Sequence, residues 1–194
     1  MKKLIIASAN ENKIAEIKEI LGDIYEICSM KDVGFNEEIE ETGNTFFDNA
    51  LIKAKIVSKR YNMDVLSDDS GLCVDVLNGA PGVFSARYSG INATDKKNNE
   101  LLLKNLKGEP KRNAKFVSCV ALCYADGSYE YGEGSIKGRI LTDYRGEGGF
   151  GYDPLFFSYE LNKTFGEATA EEKNKVSHRF RALMDLKNKL TEKR

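Results

Sequence analysis

Residues 67–88 read SDDSGLCVDVLNGAPGVFSARY, and the rest of the chain is organised around them. Asp68 and Asp69 close a short apolar run, VLS. Ser70 and Gly71 follow at once and predict a sharp turn, with the carboxylates directed away from the core. A second apolar run, GLCVDV, carries Asp75, and NGAPGVFSARY then supplies turn residues, small residues and Arg87. Acids, a tight turn, a hydroxyl and a cation within one loop are the parts of a metal-assisted phosphate site. A plain turn with two solvated acids uses the same residues, so the remaining segments must decide.

The chain has 194 residues, a length that suits a single domain over 1–194 or two lobes sharing one core. Apolar residues make up 41% and charged residues 30%, as in an ordinary soluble globular protein. The net charge is −1 with acids and bases mixed throughout, which argues against a polynucleotide partner. A single nucleotide needs only a few placed cations. The start, MKKLIIASANENK, mimics a signal peptide, but its apolar run is too short and Asn10, Glu11, Asn12 and Lys13 break it. No stretch approaches a membrane span. Cys28, Cys73, Cys119 and Cys123 lack CxxC spacing and lie in apolar contexts, which predicts free buried thiols and a reducing cytoplasm. His178 is the only histidine, so a zinc site or a Ser-His-Asp triad has little to draw on.

A first strand is expected at 2–7 and a helix at 14–21, joined by the polar loop SANENK. Backbone N–H groups at such a junction bind anions, and Lys13 adds a charge; an ordinary turn capped by Asn10 fits equally. A strand is read at 24–28. The acidic loop KDVGFNEEIEETGN leads to a helix whose cap, Thr45, has capping-box spacing to Asp48. Phe47, Ala50, Leu51, Ala54, Val57, Ser58 and Tyr61 form its apolar face, with Lys53 on another side. Glu40 and Glu41 either favour the helix dipole or supply a carboxylate to a metal. Thr94 caps a helix ended by Gly108 and Pro110, residues 114–124 form a strong strand, and Asp126-Gly127 is a hairpin turn. The segment SYEYGEGSIKGRIL returns as one or two strands.

Gly146, Gly148 and Gly151 spell G-x-G-x-x-G, but a loop entering a strand follows instead of a helix, which excludes a dinucleotide fingerprint. The glycines suggest close backbone approach to a flat ligand, with Phe150 and Tyr152 stacking and Asp153 accepting from a base edge; a hairpin whose aromatics fill the core is the alternative. A Thr169–Glu172 capping box opens the last helix. If that helix breaks near Ser177, then Lys173, His178 and Arg179 converge on one anionic or carbonyl ligand.

Together these segments resemble the inosine triphosphate pyrophosphatase family, in order from Ser8 to Arg179. The carriers are Ser8-Ala9-Asn10 with Lys13, Glu41-Thr42-Gly43 with Thr45-Phe46, Asn49-Ala50 and Lys53-Ala54, and Asp68-Asp69-Ser70-Gly71-Leu72. Pro81-Gly82-Val83, Ser85-Ala86-Arg87-Tyr88, Gly149-Phe150-Gly151-Tyr152-Asp153-Pro154 and Ser177-His178-Arg179 complete them. Ser8-Ala9-Asn10 stands for the commoner Thr-Gly-Asn or Thr-Ser-Asn and Asp48-Asn49 for Glu-Asn; neither removes a charge. The resemblance implies an α/β fold, an elongated mixed β-sheet flanked by helices with two lobes around a central cleft. It also implies a homodimer, a need for Mg2+, and hydrolysis of non-canonical purine nucleoside triphosphates (ITP, dITP, XTP) to the monophosphate and pyrophosphate, cleansing the nucleotide pool.

The site that follows from it uses Glu40, Glu41, Asp68 and Asp69 on Mg2+. The residues alone do not choose between Asp68 and Asp69 as the base; the resemblance assigns Asp69. Lys13, Lys53 and the backbone of Ser8, Ala9, Asn10, Glu11 and Asn12 hold phosphates, and Ser70 contacts the nucleotide. Phe150 stacks on the base beside Gly151 and Tyr152, while Asp153, Lys173, His178 and Arg179 surround the purine edge. Cationic donors aimed at a 6-oxo group leave adenine's 6-amino donor facing donors, which rejects it. A Maf-type pyrophosphatase is the first rival, opposed by the SHR and FGYD segments. A nucleotide-sensing protein without chemistry is the second, and it has no use for the clustered acids. A plain interaction module leaves all these motifs as coincidence.

Overall fold

Apolar runs alternating with amphipathic segments dictate the element order. In the computed structural model, which describes residues 1–192, the chain runs β1 (Lys2–Ile6), α1 (Glu11–Leu21), β2 (Tyr25–Ser29), α2 (Phe46–Tyr61), β3 (Val65–Val74) and α3 (Asp95–Asn105). It continues through β4 (Asn113–Cys123), β5 (Tyr129–Ile140), β6 (Phe156–Ser158), β7 (Lys163–Thr164), α4 (Ala170–Val176) and α5 (His178–Glu192). The strands form one seven-stranded sheet in the order β2-β1-β3-β4-β5-β6-β7. β1 is parallel to β2 and β3, and β6 is antiparallel to β5 and β7, so the sheet is mixed, as expected.

The central stretch departs from its reading. No turn forms at Ser70-Gly71, because β3 continues through all ten residues from Val65 to Val74. β3 lies between β1 and β4, with most of its side chains buried. A turn there would strand buried N–H and C=O groups that the sheet pairs. The two apolar runs are one strand, and the turn comes later, where Asn78 adopts φ 53 after a 3-10 turn at Asp75–Leu77. Asp68 and Asp69 are therefore buried in a strand rather than exposed on a loop.

Two compact units divide the chain. The first comprises Met1–Asp69, Ser118–Gly134 and the chain from Arg179 on. In it the run LIIA is buried on both strand faces, which is why it does not alternate with polar residues. Leu4 and Ile6 pack with Ile17 and Leu21 of α1, Leu66, Val120, Leu122, and Ala182, Leu183 and Leu186 of α5. Ile5 and Ala7 pack on the opposite face with Phe35, Ala54 and Val57 of α2, Val65 and Cys123. Each such leucine or isoleucine stabilises the fold by ~1.5–3 kcal/mol. A side chain at Gly132 would collide with the backbone of Ala182 and Leu186, so this glycine lets α5 lie directly on β5.

Ser70–Val117 and Ser135–His178 form the second unit. Its core joins Leu72, Leu102, Leu106, Ile136 and Ile140 to an aromatic group of Phe116, Phe156, Phe165 and Tyr152. Phe116 lies 4.6 Å from Phe156 and 5.8 Å from Phe165 between ring centroids. The segment after the hairpin is one strand, β5, rather than two.

The caps fall where the sequence places them. Asn10, Thr45 and Thr94 accept N–H groups from the first turns of α1, α2 and α3. Thr169 and Glu172 form the reciprocal capping box of α4. At α2 the box is half made: Asp48 is one methylene short and accepts the Thr45 hydroxyl at 2.7 Å instead of its N–H. Ser177 is extended (φ −62, ψ 154), and the helix does break there. Among the described residues no helix is long and apolar enough to cross a membrane, and the four cysteines are free thiols, Cys119 and Cys123 buried, Cys28 and Cys73 partly so.

Candidate active site

Successive side chains of a strand point to opposite faces, so Asp68 and Asp69 part company although they are adjacent. Asp68 follows Leu66 toward α1 and α5, whereas Asp69 follows Val65 toward α2. Their partners differ accordingly.

Asp68 is almost fully buried and its carboxylate is surrounded by donors. Its Oδ1 accepts from Ser118 Oγ. Its Oδ2 pairs with Lys13 Nζ at 2.8 Å and accepts from Arg179 Nε and Nη2, each at 3.3 Å. Arg179 Nη1 donates in turn to Glu16 Oε2. Burial alone would raise the Asp68 pKa, but the charges of Arg179 and Lys13 prevail and hold it far below the usual carboxylate range. The Arg179 guanidinium, desolvated yet flanked by Asp68 and Glu16, is pushed the other way, upward.

Asp69 has a thinner environment. Its Oδ1 is 3.8 Å from Lys53 Nζ, and its buried Oδ2 has no hydrogen-bond partner among the described residues. On the same strand face the buried Ser67 hydroxyl also lacks one. Burial raises the Asp69 pKa above the ordinary carboxylate value, with Glu41 and Asp68 adding to the rise and Lys53 and Lys13 opposing it. Lys53 Nζ donates to Glu41 Oε1 at 2.6 Å and to the Asp68 carbonyl at 3.1 Å, so it ties the acidic loop to β3. The loop is seated by Gly43, whose N–H donates to Asn49 Oδ1 at 2.8 Å; a Cβ at Gly43 would meet Asp48 and Asn49.

These contacts distinguish the four acids of the expected metal set. Glu40 is exposed, and of the Glu40/Glu41 pair it is Glu41 that Lys53 draws in. Both Asp68 oxygens are already engaged, by Lys13, Arg179 and the Ser118 hydroxyl. Asp69 and Glu41 do fit a hard cation, because Asp69 Oδ2 is a buried oxygen with no donor of its own. In the loop between β1 and α1, Asn10 Oδ1 accepts the N–H groups of Asn12 (3.0 Å) and Lys13 (3.3 Å), and Ser8 Oγ accepts that of Asn10. The ordinary capped turn is therefore present here, and Ala9 and Glu11 lie within it. Ser70 is half-buried in β3.

The second unit holds another cluster. Asp153 Oδ2 accepts from Lys173 Nζ at 2.7 Å and from the Phe150 N–H at 2.9 Å. Lys173 Nζ also lies 4.5 Å from the Phe150 ring centroid. Lys173 is thus desolvated between a carboxylate and an aromatic face, both of which favour its charge. His178 is buried and stacks on Phe116 at 4.8 Å and 13°.

Two expectations change here. Tyr152 does not offer a stacking face: its ring is in the core and its hydroxyl donates to the Ser85 carbonyl at 2.7 Å. The glycines at 146 and 149 serve the chain itself, since side chains there would strike Gly166 and the Asp153 carboxylate respectively. The Arg179 guanidinium is held by Asp68 and Glu16, and the helix breaks where expected. Glu16 and Ser118 escaped the sequence reading. Glu16 lies three residues after Lys13 on α1, and Ser118 is the lone hydroxyl in the apolar run FVSCVAL, which were the available signals.

A model of the Ham1 family matches residues 4–189. The chain belongs to the Ham1 family. Within it, the chain is 50% identical over 189 residues to the dITP/XTP pyrophosphatase of Thermoanaerobacter pseudethanolicus, covering 96% of this chain and 95% of that protein. Identity to the Bacillus subtilis dITP/XTP pyrophosphatase is 47% over 189 residues, with 96% of each chain covered. The structure of the Staphylococcus aureus Ham1 protein matches with a TM-score of 0.90 at 38% identity over 100% of both chains. The family assignment drawn from the motifs is borne out.

Proposed function

We propose that this protein hydrolyses non-canonical purine nucleoside triphosphates, dITP, ITP and XTP, to the monophosphate and pyrophosphate. The relatives' activity supports it over nearly the full chain length. The observation that carries the chemistry is the contrast within one dipeptide. Asp68 is a well-partnered carboxylate whose pKa is held far below the usual range, and Asp69 beside it has a raised pKa and an unengaged oxygen. Environments that push two acids apart separate a structural acid from a catalytic one.

In this reading Asp69 accepts the proton of a water that attacks the α-phosphorus. The bond from that phosphorus to the bridging oxygen breaks, and pyrophosphate leaves with its charge met by Lys13 and Lys53. Asp69 and Glu41 would hold Mg2+, which when bound neutralises phosphate charge at that point. In the second unit Phe150 stacks on the base, and Asp153, Lys173 and His178 set its edge. Residues 1–194 act as one catalytic domain on this view. The motif resemblance supports a homodimer working in the cytoplasm, and a mass measurement in solution tests the dimer.

Pyrophosphate release over ITP, XTP, dITP, ATP, GTP and dUTP, with magnesium and with EDTA, tests the proposal. Release from ITP, XTP and dITP that EDTA abolishes is the expected result. Binding without release identifies a sensor, and preference for dUTP identifies a Maf-type enzyme; either result overturns the proposal.

A further inference from the structure

The turn at 149–153 carries Phe150 and Asp153, yet its middle peptide is held from outside the turn. The Gly151 N–H donates to Asp95 Oδ2 at 2.7 Å. The carbonyl of the same residue accepts from Asn99 Nδ2 at 2.8 Å. Asp95 and Asn99 are four residues apart on α3, so they stand one above the other on one helix face. Thr94 caps that helix through Lys97 N at 3.2 Å and fixes where its first turn begins.

Gly151 needs such anchors. Its φ is +62, with open space where a side chain would sit, so nothing in the residue itself resists rotation of its peptides. Rotation there would swing Phe150 on one side and Asp153 on the other, and with them the Phe150 N–H to Asp153 bond and the Lys173 pair. Asn99 is 3% exposed, and its Oδ1 has no hydrogen-bond partner among the described residues. Leaving a buried amide oxygen unpaired is costly. Turning the amide over would set that oxygen against the Gly151 carbonyl, so the contact fixes the Asn99 side chain as well.

We propose that Asp95 and Asn99 are positioning residues for base recognition, holding both sides of Gly151 so that Phe150 and Asp153 meet the purine in a fixed orientation. This rests on the base-reading role proposed above for the 149–153 turn. Neither residue touches reacting atoms. Their loss weakens substrate and transition state alike, which raises KM and leaves kcat in place.

Asn99→Ala, Asp95→Ala and Asp95→Asn are made in the full chain and assayed beside the wild type for pyrophosphate release from dITP and dATP, with Tm measured for each. Both alanine variants are expected to raise KM for dITP about tenfold with kcat within about twofold, and to lower the dITP-over-dATP ratio. Asp95→Asn keeps an Oδ1 acceptor for the Gly151 N–H and is expected to stay within about twofold of wild type. An unchanged KM in Asp95→Ala at retained Tm overturns the proposal. So does a fall in kcat at constant KM, or an Asp95→Asn variant as impaired as Asp95→Ala, which would mean that charge matters and the hydrogen bond does not. Asp95 is exposed, so its variants decide the matter even if Asn99→Ala fails to fold. Wild-type protein inert on dITP defeats the function itself; an active wild type with indifferent variants defeats only this inference.

Discussion

Arg179 grips Asp68 from the side of α5, with Nε and Nη2 each 3.3 Å from the same carboxylate oxygen. Both side chains are buried, and Lys13, Glu16 and Ser118 complete the group. With Asp68 and Glu16 set against Arg179 and Lys13, the group is a neutralised ionic core.

Removing one member leaves buried charge uncompensated. Arg179→Ala is expected to destabilise the fold by about 3–5 kcal/mol. Urea denaturation reads this directly. A variant with unchanged stability and an altered ITP-over-ATP ratio would restore Arg179 to the base edge.

Asp69→Asn is expected to fold and bind nucleotide while turnover falls by orders of magnitude. Tm is expected to hold or rise, because Asp69 is buried with a raised pKa and its charge works against folding at neutral pH. Full activity in this variant removes Asp69 from the mechanism.

The two acids predict opposite pH responses. The Asp68 pKa is depressed in the fold, so its stabilisation is complete above the unfolded value of about 3.9 and is lost as pH falls through the folded value. The Asp69 pKa is raised, so its contribution to stability is greatest below the unfolded value and declines as pH rises through the folded one. The proposed base role needs Asp69 ionised, so on that reading kcat/KM is expected to fall on the acid side above pH ~3.9, while the fold, read by circular dichroism, persists. Loss of fold and of activity at one common pH would contradict this assignment.

Gly149→Ala places a methyl group against the Asp153 carboxylate in a left-handed backbone position, φ +74. The strain alone costs about 1–2 kcal/mol. The variant is expected to lose the Asp153–Lys173 pair and raise KM for dITP more than it changes kcat. Unchanged kinetics would separate the pair from base recognition.

Much of the fold was legible because its signals are local. The caps at Asn10, Thr45, Thr94 and Thr169 depend on residues within one helical turn, and the break at Ser177 lay inside a recognisable triplet. The central turn was misread for the opposite reason. Ser70-Gly71 has turn chemistry, but β1 and β4 on either side of β3 satisfy the backbone of an extended strand, and local preference yields to that. Tyr152 was misplaced likewise: an aromatic in a glycine-rich loop looks available until the carbonyl of Ser85, 67 residues away, takes its hydroxyl.

The sequence by itself determined the family, the mixed α/β class and the residue types of the candidate site. It could not separate Asp68 from Asp69, because the two are chemically identical and adjacent. Tertiary structure alone divided them. Strand alternation turns one toward Arg179 and Lys13 and the other toward Lys53, and a carboxylate's pKa follows the charges and burial around it.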